Sequence, residues 1–171
     1  MRKSVAKIRG LGFLLWHMRH FYYHILIGVV WAWALREVWQ EFQLRWIAFS
    51  IFASVFPDID HFVYFFTYGK NDPYSKLVKS LFVSRQWRLL WYTMEKGHKQ
   101  NTNLATHNYF TILFLTGLSV TAFFFEWESA VVFLGAMILH YIFDIVDDFF
   151  ILGSINPNWK RWGRGKKSAS A

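Results

Sequence analysis

The residues best suited to chemistry form two clusters of aspartate and histidine set inside apolar sequence. Asp58, Asp60 and His61 follow one apolar run, and His140 and Asp144 lie within another. A carboxylate or imidazole in such surroundings is costly unless a partner compensates it. Two such clusters predict a shared divalent metal ion.

Four apolar stretches are long enough to consider as membrane spans, since a hydrocarbon core of about 30 Å needs about 20 residues. They cover residues 21–35, 44–68, 109–125 and 130–152. Lysine and arginine concentrate before the first stretch, between the second and third, and after the fourth. This alternation follows the positive-inside rule and predicts that both termini face the cytoplasm. A soluble all-helical bundle is the alternative interpretation.

The predicted fold is therefore an all-α, four-span transmembrane bundle that forms a single domain over residues 1–171. Residues 1–20 read as a basic amphipathic lead-in, residues 74–96 as an interfacial amphipathic helix, and residues 157–171 as a basic tail. Packing of the apolar stripe of residues 74–96 against the bundle is an equal alternative. Tryptophans such as Trp159 flank the spans, which is typical of interfacial belts.

The net charge of +8 is interpreted as serving attraction to anionic lipid headgroups rather than binding of nucleic acid. The absence of cysteine excludes disulfides and thiolate metal sites. The composition, 54% hydrophobic with 22% aromatic residues, is apolar enough for an integral membrane protein.

The predicted topology brings the unusual polar residues to one depth. His24 and His107 fall near the cytoplasmic starts of spans one and three, while the two Asp/His clusters fall in the cytoplasmic halves of spans two and four. At about 1.5 Å per residue, these groups lie within roughly two helical turns of one level. The candidate ligands are His24, Asp58, Asp60, His61, His107, His140 and Asp144. They exceed the need of one tetrahedral zinc, so one or two ions are expected, and two are favoured over one. Nitrogen and oxygen ligands suit Zn, Mn, Fe or Mg, and the histidines favour Zn.

Each signal also has a purely structural interpretation. Carboxylates after Pro57 could cap a helix end, and His140 with Asp144 could form a hydrogen-bonded pair without metal. Asp147 and Asp148 could orient histidine ligands or cap the cytoplasmic end. His20, like His17 and His98, reads as interfacial or solvated rather than as a ligand.

The ordered motifs resemble a known family. His24 with Gly28, then Pro57-Asp58-Ile59-Asp60-His61, Thr106-His107 and finally His140 with Asp144 are similar to the membrane-bound metal-dependent hydrolases of the YdjM-like type. The resemblance implies a small helical inner-membrane protein with metal-dependent hydrolase activity. Family members carry His-Arg-Gly before the Thr-His element, whereas this chain has Gly97-His98-Lys99, so no role is carried over to His98.

These residues predict a hydrolase in which a divalent ion lowers the pKa of bound water and polarises a phosphoryl or acyl oxygen. Asp60 or Asp148 would act as general base. The predicted depth of the site, near the cytoplasmic headgroups and among lysines and arginines, favours an anionic amphiphile such as a phospholipid or polyprenyl phosphate as the substrate. The alternatives are a divalent metal-ion transporter or sensor, and a scaffold whose polar cluster only locks helix packing.

Overall fold

The computed structural model describes residues 18–160, without the side chains of residues 95–96, 98–101, 151–152 and 157. Most of the predicted lead-in, the end of the basic tail, and the side chain of His98 lie outside this description. The described chain is helical and contains no strand. Its elements are α1 (Arg19–Trp39), α2 (Leu44–Val55), a 3-10 turn (Phe56–Asp58), α3 (Ile59–Phe66), α4 (Pro73–Val83), α5 (Trp87–Asn101), α6 (Tyr109–Phe124), α7 (Glu128–Leu152) and a second 3-10 turn (Pro157–Lys160).

Two helical segments of the described chain are long and apolar enough to cross a membrane. They are Leu44–Phe66, which combines α2, the first 3-10 turn and α3, and Glu128–Phe150 within α7. Helix α6 is apolar but shorter. The second and fourth predicted spans are therefore found as apolar helices of sufficient length, whereas the four-span arrangement as a whole stays a prediction.

Helix α7 lies at the centre of the molecule and packs against α2, α6 and α1. Helices α1 and α2 also pack closely on each other. A Cβ added at Gly28 of α1 would lie 2.8 Å from the Cα of Ile51 in α2, so glycine permits this approach. Trp31 of α1 covers Gly135 and donates a hydrogen bond of 3.0 Å to the carbonyl of Val132. These contacts hold α1, α2 and α7 in fixed register.

Pro57 changes the local helix type without ending the segment. Because proline has no N–H to donate, the chain passes through the 3-10 turn before α3 begins at Ile59. The 3-10 turn therefore interrupts the α-helical hydrogen-bonding pattern of this segment between Val55 and Ile59.

Residues 74–96 form two helices where the sequence predicts one. Helix α4 ends at Val83, Arg85 adopts a positive φ of 55°, and α5 begins at Trp87. Left-handed backbone of this kind terminates a helix. The buried side chains of this helix pair pack on α3, whereas Phe82, Val83 and Trp87 are exposed. Part of the apolar stripe of residues 74–96 therefore packs against the protein, and part of it is exposed.

Candidate metal centre

Helix α1 contributes two histidines one turn apart. His24 is fully buried, and its Nε2 lies 2.9 Å from Nε2 of His20. The sequence predicts His24 as a ligand, but it predicts His20 as an interfacial or solvated residue. The spacing of four residues to His24, which places both rings on one helical face, was the available signal.

Helix α7 contributes His140 and Asp144, which its turn of 3.6 residues stacks on one face. Both are buried, and Oδ2 of Asp144 lies 3.2 Å from Nε2 of His140. The loop before α6 adds His107, whose Nε2 lies 3.5 Å from the same carboxylate oxygen. Helix α7 and the loop before α6 thus meet at Asp144.

Asp144 lies between two pairs of histidines. Its Oδ1 is 3.3 Å from Nε2 of His20 and 3.5 Å from Nε2 of His24. Its Oδ2 faces His107 and His140 instead. The carboxylate therefore presents one oxygen to each pair.

Asp58, at the end of the first 3-10 turn, lies against both pairs. Its carboxylate has ligand atoms within 4.8 Å of those of His20 and His24, and likewise of those of His107 and His140. The distance from its Oδ1 to Nε2 of His140 is 4.0 Å. Of the predicted ligands, the structure thus brings together His24, Asp58, His107, His140 and Asp144, and it adds His20.

The tautomer of His140 leaves a lone pair directed into the cluster. Its Nδ1 lies 2.6 Å from the carbonyl of Ser54 and must donate, because a carbonyl only accepts. Nε2 of His140 and Nε2 of His107 are buried and have no hydrogen-bond partner. Backbone bonds of this type orient histidine ligands at metal sites. Unpartnered imidazole nitrogens next to carboxylates fit a divalent cation.

Asp60 lies behind His107 rather than in the cluster. Its Oδ1 accepts from the hydroxyl of Tyr68 at 2.7 Å, and its Oδ2 accepts from the backbone N–H and the hydroxyl of Thr106 at 2.8 and 2.7 Å. Oδ2 is also 3.6 Å from Nδ1 of His107. Sequence reasoning predicts Asp60 as both ligand and general base, whereas this geometry places it as the carboxylate that orients His107.

The charge state of His107 follows from its two carboxylate neighbours. Burial alone would lower the pKa of His107, but attraction to Asp144 and Asp60 outweighs it and raises the pKa to about 9. Without a bound cation, His107 is therefore protonated at neutral pH.

A cavity of about 40 Å³ adjoins the cluster. Its lining comprises His20, His61, Thr102, Leu104, His107, Asp144, Asp148, Asn156, Asn158 and Trp159. His61, predicted as a ligand, stands at this cavity with its Nδ1 3.9 Å from Oδ1 of Asp58. It belongs to none of the close groups of ligand atoms found among the described residues.

The C-terminal 3-10 turn closes one side of this cavity. Trp159 is 3% exposed, and its Nε1 donates to Oδ2 of Asp148 at 2.7 Å. Asn158 donates to the carbonyl of Thr102 at 2.6 Å. Sequence reasoning assigned Trp159 to an interfacial belt, and the structure places it inside the site instead. No local signal marks it, because a tryptophan after an apolar helix is typical of either position.

The fold and the site together define a helical protein whose apolar helices enclose a candidate metal centre. A family model described as YdjM inner membrane protein matches residues 18–151. The chain belongs to the YdjM inner membrane protein family. No curated protein and no solved structure gave a significant match.

Proposed function

We propose that this protein is a membrane-embedded, metal-dependent hydrolase. The observation that carries the proposal is the convergence of buried, unpartnered histidine nitrogens and two carboxylates beside a cavity. Burying such groups without a cation is costly. A cavity next to them gives a reactant access to the same point.

The residues of the chain have separate tasks in this proposal. His24, Asp58, His107, His140 and Asp144 would hold the ion, and several imidazoles among them favour zinc over Mn, Fe or Mg. A bound divalent ion would lower the pKa of water and polarise a phosphoryl or acyl oxygen.

Asp148 is the better candidate for the general base. It lines the cavity, and Trp159 fixes its Oδ2, so the carboxylate is positioned to accept a proton from water that enters there. Both oxygens of Asp60 are engaged by Tyr68 and Thr106 away from the cavity. Asp60 therefore supports the site indirectly.

The proposed substrate is an anionic amphiphile with a phosphoester or ester bond, taken from the cytoplasmic leaflet. Several residues that directly follow cavity residues in the chain are exposed and aromatic: Phe21, Phe62 and Phe149. These exposed rings suit contact with lipid tails, while a metal ion held by the histidines and carboxylates at the cavity would suit an anionic headgroup. The proposal includes four spans, cytoplasmic termini, and α4–α5 at the bilayer interface, where Lys76, Lys79 and Arg85 favour anionic lipid.

Substitution of two predicted ligands tests the proposal. Asp58→Ala and His140→Ala are expected to lose both bound metal and hydrolysis, while Glu128→Gln, at the far end of α7, keeps both. Elemental analysis of detergent-purified protein gives the metal content. Activity is measured on p-nitrophenyl phosphate and on short-chain phosphatidic acid in mixed micelles, with helix content checked by circular dichroism.

Turnover retained by either alanine variant would contradict the proposed mechanism. Metal uptake into proteoliposomes without hydrolysis would instead favour a transporter. A purified, folded protein without stoichiometric metal would favour a packing role for the cluster.

A further inference from the structure

We propose that the site holds two divalent ions, one at an α1 pair (His20 and His24) and one at an inner pair (His107 and His140), with Asp58 and Asp144 shared. This inference rests on the proposed metal binding and extends it to the number of ions and to their ligands. It assigns His20, which lies outside the family-like motifs, as a ligand.

The distances within each pair agree with binding of one ion. Ligand atoms about 2.0–2.1 Å from a common ion lie roughly 3 Å from one another. In the α1 pair, the two Nε2 atoms are 2.9 Å apart, and Oδ1 of Asp144 is 3.3 and 3.5 Å from them. In the inner pair, Oδ2 of Asp144 is 3.2 Å from His140 and 3.5 Å from His107.

Asp144 has the orientation of a bridging carboxylate. Each of its oxygens faces a different histidine pair, and Asp58 has ligand atoms near both pairs. Carboxylates that bridge ions about 3.5–4 Å apart are a recurring feature of two-metal hydrolytic sites. The negative charge of the shared carboxylates would also offset the repulsion between the two positive ions.

A single ion between His24, His140 and Asp144 is the competing arrangement, since their ligand atoms also lie within 4.8 Å of one another. That arrangement leaves the buried Nε2 of His107, which makes no hydrogen bond, outside the ligand set. It also leaves out Nε2 of His20, which lies 3.3 Å from Oδ1 of Asp144. Two ions use every one of these nitrogens.

The two ions should differ in how firmly they are held. In the α1 pair, the side chain of His20 is 36% exposed and that of His24 is 0% exposed, whereas in the inner pair those of His107 and His140 are 7% and 0% exposed. Solvent therefore reaches the α1 pair first. We expect the ion at this pair to leave before the inner ion.

Manganese loading tests the inference without measuring activity. The detergent-purified full chain is loaded with Mn²⁺, its bound manganese is counted by elemental analysis, and its electron paramagnetic resonance spectrum is recorded. Two ions per chain with a spin-coupled spectrum are expected. His20→Ala should leave one ion and abolish the coupling, and His107→Ala should also remove the coupling.

His61→Ala is the matched control, because His61 lies at the same cavity but outside both pairs. It should keep two ions and the coupled spectrum. Graded dialysis of the wild-type protein against a chelator, which needs no variant to fold, should release one ion before the other.

Binding of one Mn²⁺ per wild-type chain would contradict the two-ion inference. If such a protein still hydrolysed the substrates, the proposed function would stand. His20→Ala that keeps two coupled ions would also contradict the two-ion inference. Two coupled ions in a protein without hydrolysis would uphold this inference and reject the hydrolase.

Discussion

At the residue scale, the side-chain types were predictable, but the direction in which each side chain points was not. The apolar setting marked His24, Asp58, His140 and Asp144 from the sequence alone, because buried charge needs a partner. The choice between Asp58 and Asp60 depends on the 3-10 turn at Pro57, whose geometry no helical periodicity describes. Asp58 faces the cluster, and Asp60 faces Tyr68 and Thr106.

The role of Asp60 can be separated from that of a ligand by Asp60→Asn. The amide keeps the shape of the side chain but loses the charge that orients His107 through Nδ1, so metal affinity should fall by about 10–100-fold. Competition with a chromophoric chelator measures this loss. Tyr68→Phe, which removes one hydrogen bond to Asp60, should have a smaller effect. Complete loss of stoichiometric metal in Asp60→Asn would restore Asp60 as a direct ligand.

The raised pKa of His107, about 9, predicts a pH dependence of metal binding. A protonated imidazole cannot ligate, so binding must release this proton. The penalty is present below pH 9 and shrinks as the pH rises, so affinity should increase by about tenfold per pH unit from pH 7 toward pH 9. Calorimetry in buffers of different ionisation enthalpy counts the released protons. Binding that is independent of pH over this range would show that His107 is not a ligand.

At the element scale, helix packing supports the site from its far side. The hydroxyl of Ser54 in α2 donates to the carbonyl of His24 in α1 at 2.7 Å, and the carbonyl of Ser54 accepts from His140 in α7. Gly28 allows α1 and α2 to approach one turn beyond His24. The glycine and histidine motif was visible in the sequence. The bridging role of Ser54 was not, because a serine in an apolar helix has no distinctive spacing.

Gly28→Ala tests this coupling, and Gly117→Ala is its control. A Cβ at position 28 would meet backbone atoms of Ile51 and Ser50 at 2.8 Å, whereas one at position 117 meets nothing within 4 Å. Overpacking of this kind costs about 1–3 kcal/mol, and displacement of α1 should also weaken metal binding. Gly117→Ala should be neutral or slightly stabilising. Thermal unfolding in detergent with matched metal titrations measures both effects. Equal behaviour of the two variants would exclude a close α1–α2 contact.

At the scale of the whole molecule, the four-span arrangement depends on helices α1 and α6, whose crossing of a membrane stays a prediction. Helix α1 has 21 residues, or about 31 Å, but His20 and His24 lower its hydropathy. Helix α6 has 16 residues, or about 24 Å, which is short for a core of about 30 Å. The two longest apolar segments were predictable from composition. Helix α1 is less apolar where it carries the two histidines of the candidate site.

Single-cysteine labelling can decide the topology, because the natural chain contains no cysteine. Gln40 lies in the connection between α1 and α2, Glu126 in that between α6 and α7, and Ser84 between α4 and α5. Each position can therefore accept a cysteine outside the helix interiors. In a four-span protein with cytoplasmic termini, Gln40→Cys and Glu126→Cys react with an impermeant maleimide added outside spheroplasts. Ser84→Cys reacts only after the membrane is opened. In that arrangement α1 must cross for Gln40 to reach the outer side, so labelling of Glu126→Cys without Gln40→Cys would contradict the four-span topology with cytoplasmic termini.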